Sequence, residues 1–70
     1  MLRQSVNSSN IESIGFDTST KMLEIEFNSG AIYQYYNVPD DIYHSLMSAN
    51  SHGEYLNDHI KDNYRFSRIN

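Results

Sequence analysis

Met22 to Asn28 reads MLEIEFN, and this stretch decides the fold. Leu23, Ile25 and Phe27 fall on one side of an extended chain, and Glu24, Glu26 and Asn28 on the other. A period of two marks a strand with one face buried and one in water. On either side lie two more strand-like runs, Ile11 to Asp17 (IESIGFD), where Ile14 and Phe16 alternate, and Ala31 to Tyr36 (AIYQYY). The latter is rich in the aromatics that suit a pleated surface. Thr18 to Lys21 is a short polar link after an aspartate. Ser29-Gly30 is a tighter one in which Gly30 supplies the positive φ of a hairpin. Neither link is long enough for a crossover, so the three strands form an antiparallel meander.

Pro39 ends the sheet and suits a helix start, with Asp40 and Asp41 at the positive end of the helix dipole. Ile42, Tyr43, Leu46, Met47 and Ala49 form an apolar stripe, and Asn50 stops it. Ser51-His52-Gly53-Glu54 matches a capping box that opens a second helix, whose stripe is Tyr55, Leu56, His59 and Ile60 and whose end is Asn63. Helices that follow a run of strands predict an α+β fold. The expected architecture is a three-stranded antiparallel meander followed by two short helices packed on one sheet face, over Leu23, Ile25 and Phe27. Tyr64 to Ile69 is an extra C-terminal edge strand or an irregular tail. At the other end only Met1, Leu2 and Val6 offer an anchor. Residues 1–70 read as a single domain.

The chain carries a net charge of −4, unevenly placed. Residues 11–60 set Lys21 against eight acids, whereas residues 61–70 set Lys61, Arg65 and Arg68 against Asp62. An acidic body with a basic end repels polynucleotides over most of its surface and leaves the end, helped by Arg3, for any phosphate. The basic side chains are otherwise solvated or paired with Asp58 and Asp62. There is no cysteine, so no disulfide or thiolate metal cage. No apolar run reaches the roughly 18 residues of a membrane span, and MLRQSVNSSN has no signal-peptide core, so a cytoplasmic location is expected.

Two constellations are candidate binding sites. Tyr33 and Tyr35 share one face of their strand, roughly 7 Å apart, a spacing that suits stacking on a partner or on successive bases. The competing reading is that one ring is core and the other packs on a neighbouring strand. Tyr36 and Ile32 point the opposite way and read as core. Tyr55 and His59 are i, i+4 neighbours on the second helix, near Lys61, Tyr64 and Arg65. They form either a pocket for a phosphate or carboxylate, or a Tyr–His packing pair under the tail. His44, His52 and His59 lack metal-ligand spacing, so no metal and no cofactor is expected. With no cysteine nucleophile, no G-x-S-x-G elbow and no phosphate-cradling glycine loop, no enzyme is expected either. Glu24 and Glu26 read as a solvated strand face.

The ordered set Ser8-Ser9-x-Ile11, Ile14-Gly15-Phe16-Asp17, Leu23-x-Ile25-x-Phe27-x-x-Gly30, Tyr33-Gln34-Tyr35, Val38-Pro39, Tyr43-x-x-Leu46-x-x-Ala49, Ser51-x-Gly53-x-Tyr55-x-Asn57 and Ile60-Lys61-x-x-Tyr64 resembles the KTSC domain family, from about Gln4 to Phe66. Phe16 stands where that family commonly has tyrosine and keeps the ring without the hydroxyl. The family takes its name from the C-terminus of some lysyl-tRNA synthetases and also occurs as free-standing proteins, mostly bacterial or phage-encoded. The resemblance implies a module of this length and, through the synthetase association, RNA as a partner. The residues themselves favour a non-enzymatic interaction module that docks on a protein partner, or on its own copy, through aromatic surface. The alternatives are an RNA or tRNA accessory domain using Tyr33, Tyr35 and the basic tail, and a small-ligand or inhibitor protein of phage type.

Overall fold

Leu23 pairs with both Phe16 and Tyr35, and Ile25 with both Ile14 and Tyr33, so MLEIEFN is the central strand of the sheet. The computed structural model describes residues 1–70. Five strands run in the order β1 (Arg3–Ser5), β2 (Ile11–Asp17), β3 (Met22–Phe27), β4 (Ile32–Tyr35) and β5 (Phe66–Arg68), each antiparallel to its neighbour. The helices are α1 (Asp40–Ser48) and α2 (His52–Tyr55), and one π-helical turn, Leu56–Ile60, continues α2 without a break. The α+β class, the meander and the two short helices are as read from the sequence, and the tail is an edge strand. The sheet has five strands rather than three or four, because β1 also pairs.

The turns follow local chemistry. The Asp17 carboxylate accepts from the Ser19 N–H (2.9 Å) and hydroxyl (2.6 Å), which holds the β2–β3 link and lowers the Asp17 pKa. Lys21 closes that link with φ 59°, and Gly30 closes the next with φ 96°. Lys21 also reaches Asp40 at 2.6 Å, fastening the hairpin to the start of α1. Pro39 caps α1 by its extended backbone, with no side-chain hydrogen bond. The Ser51 hydroxyl accepts from the Glu54 N–H at 3.2 Å, as the capping box requires. His52 Nδ1 meets the Leu46 carbonyl at 2.8 Å and locks α2 against the end of α1.

The core is formed by Ile11, Ile14, Leu23, Ile25, Tyr35, Val38, Leu46, Leu56 and Ile60. Ile11 and Ile14 are three apart, an odd spacing that would put them on opposite faces. A register shift between Ile11 and Ser13 absorbs Glu12 and returns both to the core. Phe16 and Tyr43 stack at 4.6 Å with planes 7° apart, pinning α1 to β2. Met1 and Leu2 are exposed and anchor nothing. Val6, just after β1, does pack against the core, so of the expected apolar anchor Val6 holds and Met1 and Leu2 do not. The β1 strand itself is tied down by Arg3, which corrects the expected phosphate role of Arg3.

The sheet face away from the helices carries a polar row in place of the solvated face expected of Glu24 and Glu26. Arg3, Gly15, Glu24 and Gln34 lie side by side across four strands. Arg3 pairs with Glu24, and its Nε donates to Ser13 at 2.9 Å. Gln34 donates to Glu24 at 2.9 Å, and the Ser13 hydroxyl donates to Glu26 at 2.7 Å. Glu24 is 6% exposed. Burial pushes its pKa up, but the Gln34 amide and the Arg3 guanidinium outweigh that and hold it below the usual value.

Candidate functional site

Tyr33 and Tyr35 lie on the core face, because Tyr33 pairs with Ile25 and Tyr35 with Leu23. Tyr35 is 3% exposed and belongs to the core, whereas Tyr33, Ile32 and Tyr36 are half-buried. The expected core assignment of Tyr36 and Ile32 is therefore reversed. AIYQYY carries large apolar side chains on both faces, and the register with β3 settles which face is core.

The Tyr33 ring sits among three others. Phe27 meets it edge-on at 5.7 Å, Tyr35 is stacked at 6.3 Å, and Phe66 from β5 lies at 5.5 Å. Phe66 also touches Tyr35 at 5.8 Å but remains 53% exposed. These four rings floor an open cleft of about 550 Å³ between the β4–β5 end of the sheet and the second helix. Gly53, Leu56, Asn57 and Lys61 wall the helix side, Asn10 from the β1–β2 loop closes one end, and Arg68 and Asp62 flank the rings. The π-helical turn, in which the Lys61 N–H reaches back five residues to the Leu56 carbonyl at 2.9 Å, keeps Leu56 and Ile60 buried while Asn57 and Lys61 remain exposed on the cleft wall.

The charge of the cleft differs from that of the body. Ion pairs in the molecule use Arg3 and Lys21 only, so Lys61, Arg65 and Arg68 are exposed without an acidic partner in contact: of the two expected arrangements, solvation holds and pairing with Asp58 and Asp62 does not. Arg68 Nε donates to the Asn70 carbonyl at 2.8 Å. Burial pushes the Tyr35 phenol pKa up, with Tyr33 and Asp62 adding to the shift, so Tyr35 is an uncharged wall at neutral pH. The arrangement can bind through ring faces, amides and two cations.

Of the residues singled out from sequence, the cleft brings together Tyr33, Tyr35 and Lys61. Tyr55 and His59 form their own pair, with centroids 4.5 Å apart. His59 is exposed rather than part of an apolar stripe. Tyr64 packs half-buried on the core. Arg65 is exposed, and its carbonyl accepts from the Tyr36 N–H at 2.9 Å. The second constellation therefore forms no shared pocket. Sequence reading missed Asn10, Phe27, Asn57, Phe66 and Arg68 as parts of one site. Phe66 and Arg68 had a signal, since a strand over the tail places them on one face. No three histidine, aspartate or glutamate side chains gather as a cation site, and no helix is long and apolar enough to cross a membrane.

A family model described as the KTSC domain matches residues 7–64. A protein of Stutzerimonas stutzeri is 40% identical over 70 residues, covering 99% of both chains. The lysine–tRNA ligase of Nostoc punctiforme is 34% identical over 59 residues, which are 84% of this chain and 10% of the ligase. The crystal structure of a KTSC domain protein from Yersinia pestis matches with a TM-score of 0.95 and 40% identity, over 99% of this chain and 97% of that one.

Proposed function

The chain belongs to the KTSC domain family, and from that premise we propose that it is a non-catalytic binding module whose aromatic cleft receives a segment of a protein partner. The observation that carries this reading is Phe66, half exposed at the mouth of the cleft against the half-buried Tyr33. Full burial of such a side chain is worth about 1.5–3 kcal/mol, and docking recovers what the free protein forgoes. Tyrosine and phenylalanine rings around a concave site are also the usual anchors of an interface. The paired carboxylates of β3 are engaged on the opposite sheet face, where Glu24 and Glu26 are tied to Arg3 and Ser13.

Phe66→Ser tests the reading, because an exposed edge residue can change without emptying the core. Partner capture from an extract of the native host should fall several-fold while the far-ultraviolet circular dichroism of the domain is unchanged. An identical set of captured proteins for both forms would refute the cleft as the docking site.

The likeness to part of a lysine–tRNA ligase favours a second reading, in which the same rings stack on RNA and Lys61, Arg65 and Arg68 contact phosphate. Titration with tRNA at two salt concentrations discriminates the two. Binding that weakens steeply with salt and is lost in Lys61→Ala and Arg65→Ala would favour RNA. The net charge of −4 argues that this slope is shallow.

A further inference from the structure

The β5 strand is an edge, and its backbone is half used. The Tyr36 N–H donates to the Arg65 carbonyl and the Ile69 N–H to the Ile32 carbonyl. Antiparallel bonding repeats every second residue, so Ser67 also faces Gln34 across the ladder. The N–H and C=O groups of Phe66 and Arg68 therefore point outward, and all three strand residues are exposed. The Phe66 and Arg68 side chains turn to the cleft from the same two residues. Its short length and the charges of Arg65 and Arg68 discourage pairing with a like edge but not with a strand of opposite charge.

Resting on the reading of the cleft as a protein-docking site, we propose that its occupant is an extended peptide segment that carries one acidic residue and adds a sixth strand along β5. Two observations select this occupant. The outward backbone groups of Phe66 and Arg68 call for a chain that offers its own N–H and C=O groups at strand spacing. The unpaired Lys61 and Arg68, on a chain whose residues 11–60 are strongly acidic, call for a carboxylate. Asp62 in the same lining offsets part of that field, so one acid rather than a run of them fits. The residue opposite Arg68 is Asp or Glu, and the residue opposite Phe66 is aromatic or aliphatic. These positions are two apart in either strand direction, so the recognition pattern is an acid and an apolar residue separated by one residue.

Selection of a random dodecapeptide display library on the immobilised protein reads this pattern directly. Enrichment of Asp or Glu two positions from an apolar residue is expected. The winning peptide, made synthetically with blocked ends, should shift the amide resonances of Phe66 and Arg68 and bind at least tenfold more weakly to Arg68→Ala. N-methylation of its backbone at alternate residues gives an internal control. One alternate set should abolish binding and the other leave it intact, because only one set faces β5. Enrichment of basic sequences, no enrichment, or equal tolerance of both methylation sets overturns the strand-addition inference. In the last case, continued dependence on Phe66 would leave the protein-docking reading standing. Failure of every peptide together with salt-sensitive binding of a single-stranded oligonucleotide overturns both. Burial of the β5 edge in a dimer of the free protein would overturn the inference by supplying a different occupant.

Discussion

Gly15 shows how much one absent methyl group controls. It lies between Arg3 and Glu24 in the polar row, and a Cβ there would stand 2.8 Å from the Leu2 carbonyl oxygen and 3.0 Å from Arg3 Cγ. Backbone has to move to admit it, so Gly15→Ala should destabilise the fold by about 1–3 kcal/mol, read as a lower urea midpoint. Gly53 makes the contrast. A Cβ there would run into Asn10 Oδ1, but that atom ends an exposed side chain that can swing aside. Alanine also gains up to about 1 kcal/mol of helix propensity over glycine. Gly53→Ala should therefore leave the urea midpoint nearly unchanged while displacing the Asn10 amide from the cleft rim. At this scale the sequence was legible where chemistry is local, as in the left-handed turn at Gly30. It was not legible at Tyr35 and Tyr36, whose burial is decided by pairing with Leu23 one strand away.

Among the elements, the same division separates β3 and α2 from β1. The alternation of MLEIEFN and the Ser51–Glu54 capping box each state their structure within a few residues. Nothing in Arg3-Gln4-Ser5 does so, since its docking depends on a carboxylate 21 residues later in the chain. The bulge at Glu12 and the π-helical turn are equally silent, because each adjusts register to satisfy packing elsewhere. The ion pair thus adds to the short ladder with β2 and to Val6 in holding the β1 strand. Arg3→Ala leaves Glu24 buried without its cation, and an unsatisfied buried charged group costs about 1–3 kcal/mol or more. The expected signature is a lowered urea midpoint together with fast amide exchange confined to β1 and the neighbouring edge of β2. Exchange that stays slow there would show that the strand is held by its backbone ladder alone. The candidate site was only partly readable for a related reason: Tyr33 and Lys61 stood out by type, but Asn10, Phe27 and Phe66 join them only once three distant segments meet.

Taken whole, the molecule divides its charge work between its two sheet faces. Cations on the cleft side are free, whereas the cation on the opposite face is spent on Glu24. That division gives stability a pH dependence with a definite sign. The pKa of Glu24 is below its ordinary value of 4.5 in the folded protein. A depressed carboxylate contributes stability that is fully present above its unfolded value and is lost as pH falls through the folded one. The urea midpoint should therefore be nearly flat from about pH 7 to 5 on this account and fall steadily at more acid pH. Glu24→Gln removes the titrating group and leaves Arg3 facing a neutral amide. Its midpoint should lie below that of the parent at pH 7, and the two curves should converge as the parent's Glu24 protonates. Parallel curves at every pH would mean that the cost of the substitution is packing alone, and that the acid sensitivity of the fold resides in other carboxylates such as Asp17, whose pKa the Ser19 hydroxyl and N–H also lower.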